Sequence, residues 1–80
     1  MESKSVKDLM DAFAGESQAN RKYTAYARKA KAEGKVNAAK LFQAAADAET
    51  IHALKHFETA GKVGSTAENL KDAVAGETYE

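Results

Sequence analysis

Apolar residues recur along this chain in steps of three and four, the spacing of one face of a helix. Leu9, Phe13, Glu16, Asn20, Tyr23, Ala27 and Ala30 form one stripe; Ala38, Phe42, Ala45, Glu49, His52 and His56 form another. The first predicts a helix from Val6 to about Glu33. Ser5 is its expected N-cap, Asp8 stands three residues on as in a weak capping box, and residues 1–4 are expected to fray. Arg28, Lys29 and Lys31 suit the negative end of the helix dipole, and Gly34 suits the position just past its end. The second helix is predicted from Val36 or Asn37 to Ala60, with Gly61 as its stop. So short a link between two long helices implies an antiparallel hairpin. Gly61-Lys62-Val63-Gly64 reads as a loop. Ser65-Thr66-Ala67-Glu68 is a capping box opening a third helix, whose apolar face is Leu70, Ala73 and Val74 and which runs to the end of the sequence.

Both long stripes turn polar in the middle. Glu16 interrupts the first, and Glu49-x-x-His52 interrupts the second, with carboxylate and imidazole one above the other. Reflecting the chain about Gly34 sets Glu16 opposite His52, since each is 18 residues from that turn. Glu49 then lies roughly 4.5 Å away along the axis, at 1.5 Å rise per residue. Each residue alone has an ordinary reading. A single Glu beside an apolar stripe usually sits at its solvated edge. A lone His there is more often a hydrogen-bonded boundary residue. Tyr23 and Tyr26 are more often packing residues, although a buried hydroxyl needs a partner and a carboxylate would serve. His56 makes an i, i+4 pair with His52 but lies near the helix end, and it is left out of the expected ligand set. Gly15, the one break in the first helix, costs about 1 kcal/mol relative to Ala and is expected to make room for a neighbouring helix. The convergence of Glu16, Glu49 and His52 is what favours chemistry. Burying unpaired carboxylates is expensive, whereas a divalent cation between them turns the penalty into binding energy.

Composition narrows the classes. Eighty residues suit one small domain with a limited core. Lys plus Arg and Asp plus Glu balance at 12 each, so no basic patch argues for nucleic acid and no polybasic tail for membrane. The absence of Cys excludes disulfides, thiolate zinc sites and a rubredoxin-type iron centre within these residues. No apolar run approaches membrane-spanning length, and the first residues lack the apolar core of a signal peptide. An intracellular, cytoplasmic protein is therefore the expectation.

The wording of the motifs adds a family resemblance. Helical-bundle di-metal proteins take a Glu from each of two helices and a Glu-x-x-His from each of the other two, and this chain carries half of that inventory. Ala12-Phe13-Ala14-Gly15-Glu16-Ser17-Gln18-Ala19-Asn20-Arg21-Lys22-Tyr23 resembles the first-helix motif of rubrerythrins, ferritin-like di-iron proteins. Glu49-Thr50-Ile51-His52-Ala53 with Phe57 resembles their second-helix motif, and Thr66-Ala67-Glu68-Asn69-Leu70 their bridging segment. Gly76-Glu77-Thr78-Tyr79-Glu80 looks like the start of their third helix. The resemblance implies an all-α fold over residues 1–80: a hairpin plus a short third helix, half of a ferritin-like four-helix bundle completed by dimerisation. It implies Glu16 as a terminal metal ligand, Glu49 as a bridging carboxylate, His52 as an imidazole ligand and Glu77 as a second bridge. Glu80 would match the carboxylate that exchanges with the histidine as iron changes oxidation state. Tyr23 would hydrogen-bond a ligand carboxylate and hold its orientation. Tyr23 and Glu80 are thus the residues expected to act on the chemistry.

The implied activity is reduction of hydrogen peroxide at a non-haem di-iron centre, with Mn or Zn able to occupy the same oxygen and nitrogen ligands. The family's second Glu-x-x-His and its rubredoxin-like domain have no counterpart in these 80 residues. A second copy is expected to complete the site, as a homodimer or higher homo-oligomer, and a separate rubredoxin-like protein to donate electrons. Ferritin-like iron oxidation and storage is one alternative. A non-catalytic helical assembly module or fragment is another.

Overall fold

The computed structural model describes residues 4–79, and of Tyr79 the backbone alone. Three helices account for nearly all of it: α1 over Lys4–Ala32, α2 over Val36–Thr59 and α3 over Thr66–Tyr79. Lys4 is already helical, so Ser5 lies inside the first turn and cannot serve as N-cap. The expected fraying of residues 1–4 falls mostly outside the described residues.

Both long helices end in the same way. Gly34 and Gly61 take φ of +74° and +75°, a region that strains any side chain. Around Gly34 the N–H of Gly34 donates to Lys31 O at 3.0 Å and that of Lys35 to Ala30 O at 2.8 Å. Around Gly61 the equivalent pair runs from Gly61 to Glu58 O and from Lys62 to Phe57 O, at 2.9 and 3.3 Å. These are Schellman closures, which satisfy the last carbonyls and turn the chain. The α3 start is the capping box read from the sequence. Glu68 N–H donates to Ser65 Oγ at 3.2 Å, and Ser65 N–H donates to Glu68 Oε1 at 2.9 Å.

Helices α1 and α2 form the antiparallel hairpin. Their seam is built of small residues: Ala27 and Ala30 from α1, and Ala46 and Ala53 from α2, are buried together with Asn20. Aromatic pairs close the seam toward either end. Phe13 and Phe57 lie 4.6 Å apart between ring centroids at the open end, and Tyr26 meets Phe42 edge-on at 5.5 Å nearer the turn. Along α1 the buried stripe is the predicted one. Along α2 it is not: burial centres on Ala46 and Ala53, rotated by roughly 70° from the Ala38–His56 stripe at about 100° per residue.

The face of α2 away from α1 is also apolar. Leu41, Ala44, Ala48 and Ile51 follow steps of three and four there, and Leu41 and Ile51 are 69% and 66% exposed. The backbone of α3 packs against neither hairpin helix among the described residues. Its Leu70 and Val74 face solvent. Nor does α2 supply the neighbour expected at Gly15, where an added Cβ would meet nothing within 4 Å. The radius of gyration, 15.8 Å, exceeds the roughly 12 Å of a compact 80-residue domain. The accessible surface is 6368 Å², against about 4,700 Å² for a folded monomer of this mass.

Candidate metal centre

The hairpin register brings the interrupting polar residues to one level. Glu16 on α1 and Glu49 and His52 on α2 each offer a ligand atom, and those atoms all lie within 4.8 Å of one another. Among the described residues, this is the group of three or more such side chains that gathers closely enough for one ion. His52 Nδ1 is 3.3 Å from Glu16 Oε2. The Glu16 side chain is 22% exposed and that of His52 56%, so the cluster has a protein wall on the α1 side and opens outward along α2. That opening follows from the rotated seam. His52 lies on the part of the α2 stripe farthest from α1.

A contact that the sequence reading set aside completes the surroundings of Glu16. His56 Nε2 stands 3.0 Å from Glu16 Oε1. Mirror symmetry about Gly34 placed His56 one turn too far, but the glutamate side chain spans that turn. The carboxylate therefore sits between two imidazoles. Its Oε1 is buried, and its close approach to His56 Nε2 is not aligned as a hydrogen bond. A half-buried carboxylate gathered with a second carboxylate and an imidazole is what a divalent cation would stabilise, so the residues present fit a metal. Glu16, Glu49 and His52 are the ones that would hold it, with oxygen and nitrogen donors suited to Fe, Mn or Zn.

The other expected site residues are not at this cluster. Tyr23 packs edge-on against Tyr26 at 6.2 Å, and its hydroxyl makes no hydrogen bond to a carboxylate among the described residues. Glu77 is exposed on α3, away from the hairpin. It follows Leu70 and Val74 at steps of four and three, so it shares their stripe. Glu80 lies outside the described residues.

A helical hairpin with one carboxylate facing a Glu-x-x-His belongs to the class of helical-bundle proteins that carry non-haem metal sites between their helices. Comparison with known proteins narrows the class. The rubrerythrin family model matches residues 7–80, and the chain belongs to that family. It is 44% identical to the rubrerythrin of Porphyromonas gingivalis, covering 98% of this chain and 46% of that protein. It is 35% identical to rubrerythrin-1 of Clostridium acetobutylicum, covering 98% and 49%. With the rubrerythrin of Nitratidesulfovibrio vulgaris it shares 34% identity, covering 98% and 48%. The chain thus spans about half the length of these curated relatives. Membership points to a non-haem di-iron protein with an all-α, ferritin-like fold. No helix among the described residues is long and apolar enough to cross a membrane.

Proposed function

We propose that residues 1–80 act as one half-domain of a cytoplasmic di-iron protein that reduces hydrogen peroxide, with the centre completed by a second chain. The observation that carries this reading is the meeting of Glu16, Glu49 and His52, whose ligand atoms lie within 4.8 Å of one another. One chain supplies half of the bundle-type ligand inventory, and a two-fold related copy supplies the same three residues again.

The surface supports the pairing. The excess over a compact monomer is roughly 1,700 Å² per chain, which two chains together would bury as an obligate-type interface. The apolar far face of α2 supports it as well, since a helix apolar on two sides is built to be covered on both.

When bound, a pair of ferrous ions supplies the two electrons that peroxide reduction requires. The chain's own contribution is to hold and orient. Glu16 is walled in by the seam and presents its carboxylate to the cluster. Glu49 would serve as the bridging carboxylate, and His52, at the open edge, would be the ligand freest to move. Mn or Zn would suit the same donors. A separate rubredoxin-like protein is the proposed electron source; these 80 residues hold no Cys for such a centre. Tyr23 takes part only if the bundle turns its hydroxyl toward a carboxylate. Glu77 and Glu80 become ligands only if α3 folds back as a third bundle helix, the alternative to symmetric pairing.

The test is turnover of hydrogen peroxide by iron-loaded protein with an added reductant. Steady consumption supports the reading. Uptake of iron far above two per site without peroxide turnover indicates storage instead, and neither behaviour indicates an assembly module.

A further inference from the structure

Asn20 is the buried polar side chain of the hairpin, one turn from Glu16 on the α1 stripe. Its amide nitrogen donates across the seam to Ala46 O and to Thr50 Oγ1, both at 2.7 Å. The Thr50 hydroxyl donates in turn to Ala46 O at 3.1 Å. On the other side, Arg21 holds Asn20 Oδ1 through Nε at 2.9 Å and Nη2 at 2.6 Å. A flipped amide would present its NH₂ to the guanidinium and its oxygen to the Ala46 carbonyl, so Arg21 fixes which end faces α2.

The rest of the seam is directionless by comparison. Alanine methyls and aromatic rings tolerate small shifts, whereas hydrogen bonds at 2.7 Å do not. A slip of one residue along α2 moves a side chain about 1.5 Å along the axis and turns it about 100°. Such a slip would carry Glu49 and His52 off the level of Glu16. Ala46 and Thr50 bracket Glu49 in sequence, so the clamp grips α2 at the segment that must not slip.

We infer that Asn20, oriented by Arg21 and gripping Ala46 and Thr50, is a positioning residue that sets the helix register of the metal centre. The inference rests on the metal reading above. The probe is Co(II) alone, with affinity and d–d absorption bands measured beside far-UV circular dichroism. Asn20→Leu removes the whole clamp, whereas Thr50→Val removes its Thr50 arm, leaves the Asn20–Ala46 bond and α1 untouched, and is close to isosteric. Both variants should keep their helicity, bind Co(II) about 10–100-fold more weakly, as loss of a supporting partner typically does, and show shifted bands. Thr50→Ser, which keeps the hydroxyl, should restore wild-type affinity and spectrum. Wild-type Co(II) binding and bands in either variant would overturn the inference, which needs both arms of the clamp. Failure of the underlying reading looks different, because the wild type itself then takes up no Co(II). In that event the clamp is judged on metal-free protein by the nuclear Overhauser contact between Phe13 and Phe57. Loss of that contact in Thr50→Val sustains a register role, and its persistence ends it.

Discussion

The hairpin and α3 are both well specified locally, yet only the hairpin has tertiary structure. Helix α3 opens with a reciprocal capping box, and Asn69 ties it back to Gly64 through two hydrogen bonds. It has a four-residue-spaced apolar pair in Leu70 and Val74. All of that leaves it projecting into solvent, part of a molecule 48 Å long and 19 Å thick. The hairpin has weaker local punctuation, with no side-chain cap on α2. It is held instead by a clamp, two aromatic pairs and an alanine seam. Caps decide where a helix begins, and burial decides where it goes. Among the described residues, what α3 lacks is a partner helix packed along it.

The largest effect that separates the two regions concerns metal. Glu49→Ala should weaken binding by more than the roughly 100-fold that loss of a supporting residue costs, because on the proposed reading Glu49 is a ligand shared by both ions. Glu77→Ala should leave affinity unchanged if pairing is symmetric. Isothermal titration of both variants decides it, and equal losses would place α3 in the bundle as a third helix.

Packing gives the next effect. Ala46 is 1% exposed, so Ala46→Leu forces the helices apart and should lower stability by about 1–3 kcal/mol. Val74→Ala in dilute, metal-free protein should change it by less than about 0.5 kcal/mol, as for other exposed positions. Thermal unfolding of the pair tests this, and comparable losses would mean that α3 already packs on its own hairpin.

The smallest effect belongs to the α3 cap. The Ser65 backbone N–H and then its hydroxyl hold the Glu68 carboxyl below its ordinary value of 4.5. A depressed carboxyl stabilises the fold above its unfolded pKa, and the contribution disappears as pH falls through the lowered value. Acidification below 4.5 should therefore fray the start of α3, seen as faster amide exchange at Glu68 and Asn69, with no matching change in α1. Glu68→Gln should make that exchange less sensitive to pH. Identical pH profiles in the two proteins would show that the carboxylate plays no part.

Much of this was legible from spacing and end signals. Both glycine stops, the hairpin, the α3 box and the convergence of Glu16, Glu49 and His52 follow from periodicity and from reflection about one turn. The misses share a cause. A stripe shows which residues want burial but not which neighbour buries them, so α2 was expected to turn His52 inward when its own hairpin buries Ala46 and Ala53. The roughly 70° difference becomes intelligible if the stripe points toward the interior of a larger bundle, of which α1 is one wall. Reach was missed too, because Glu16 bends one turn along the axis to meet His56. Asn20 stood in the α1 stripe as a polar oddity, and only the oxygens of Ala46 and Thr50 opposite it reveal a clamp. Ser5 cannot cap α1 because Lys4 before it is already helical.

Sedimentation equilibrium of the purified protein, with bound metal counted in the same sample, bears most directly on the claim that the hairpin carries half of a centre completed by a second chain. The expected species is a dimer or larger closed assembly at micromolar concentration, holding about one ion per chain as half of a two-ion bundle site. Chelation should shift it toward monomer, since an ion bound only by the assembly stabilises that assembly. A folded monomer that holds its full complement of metal would contradict the account.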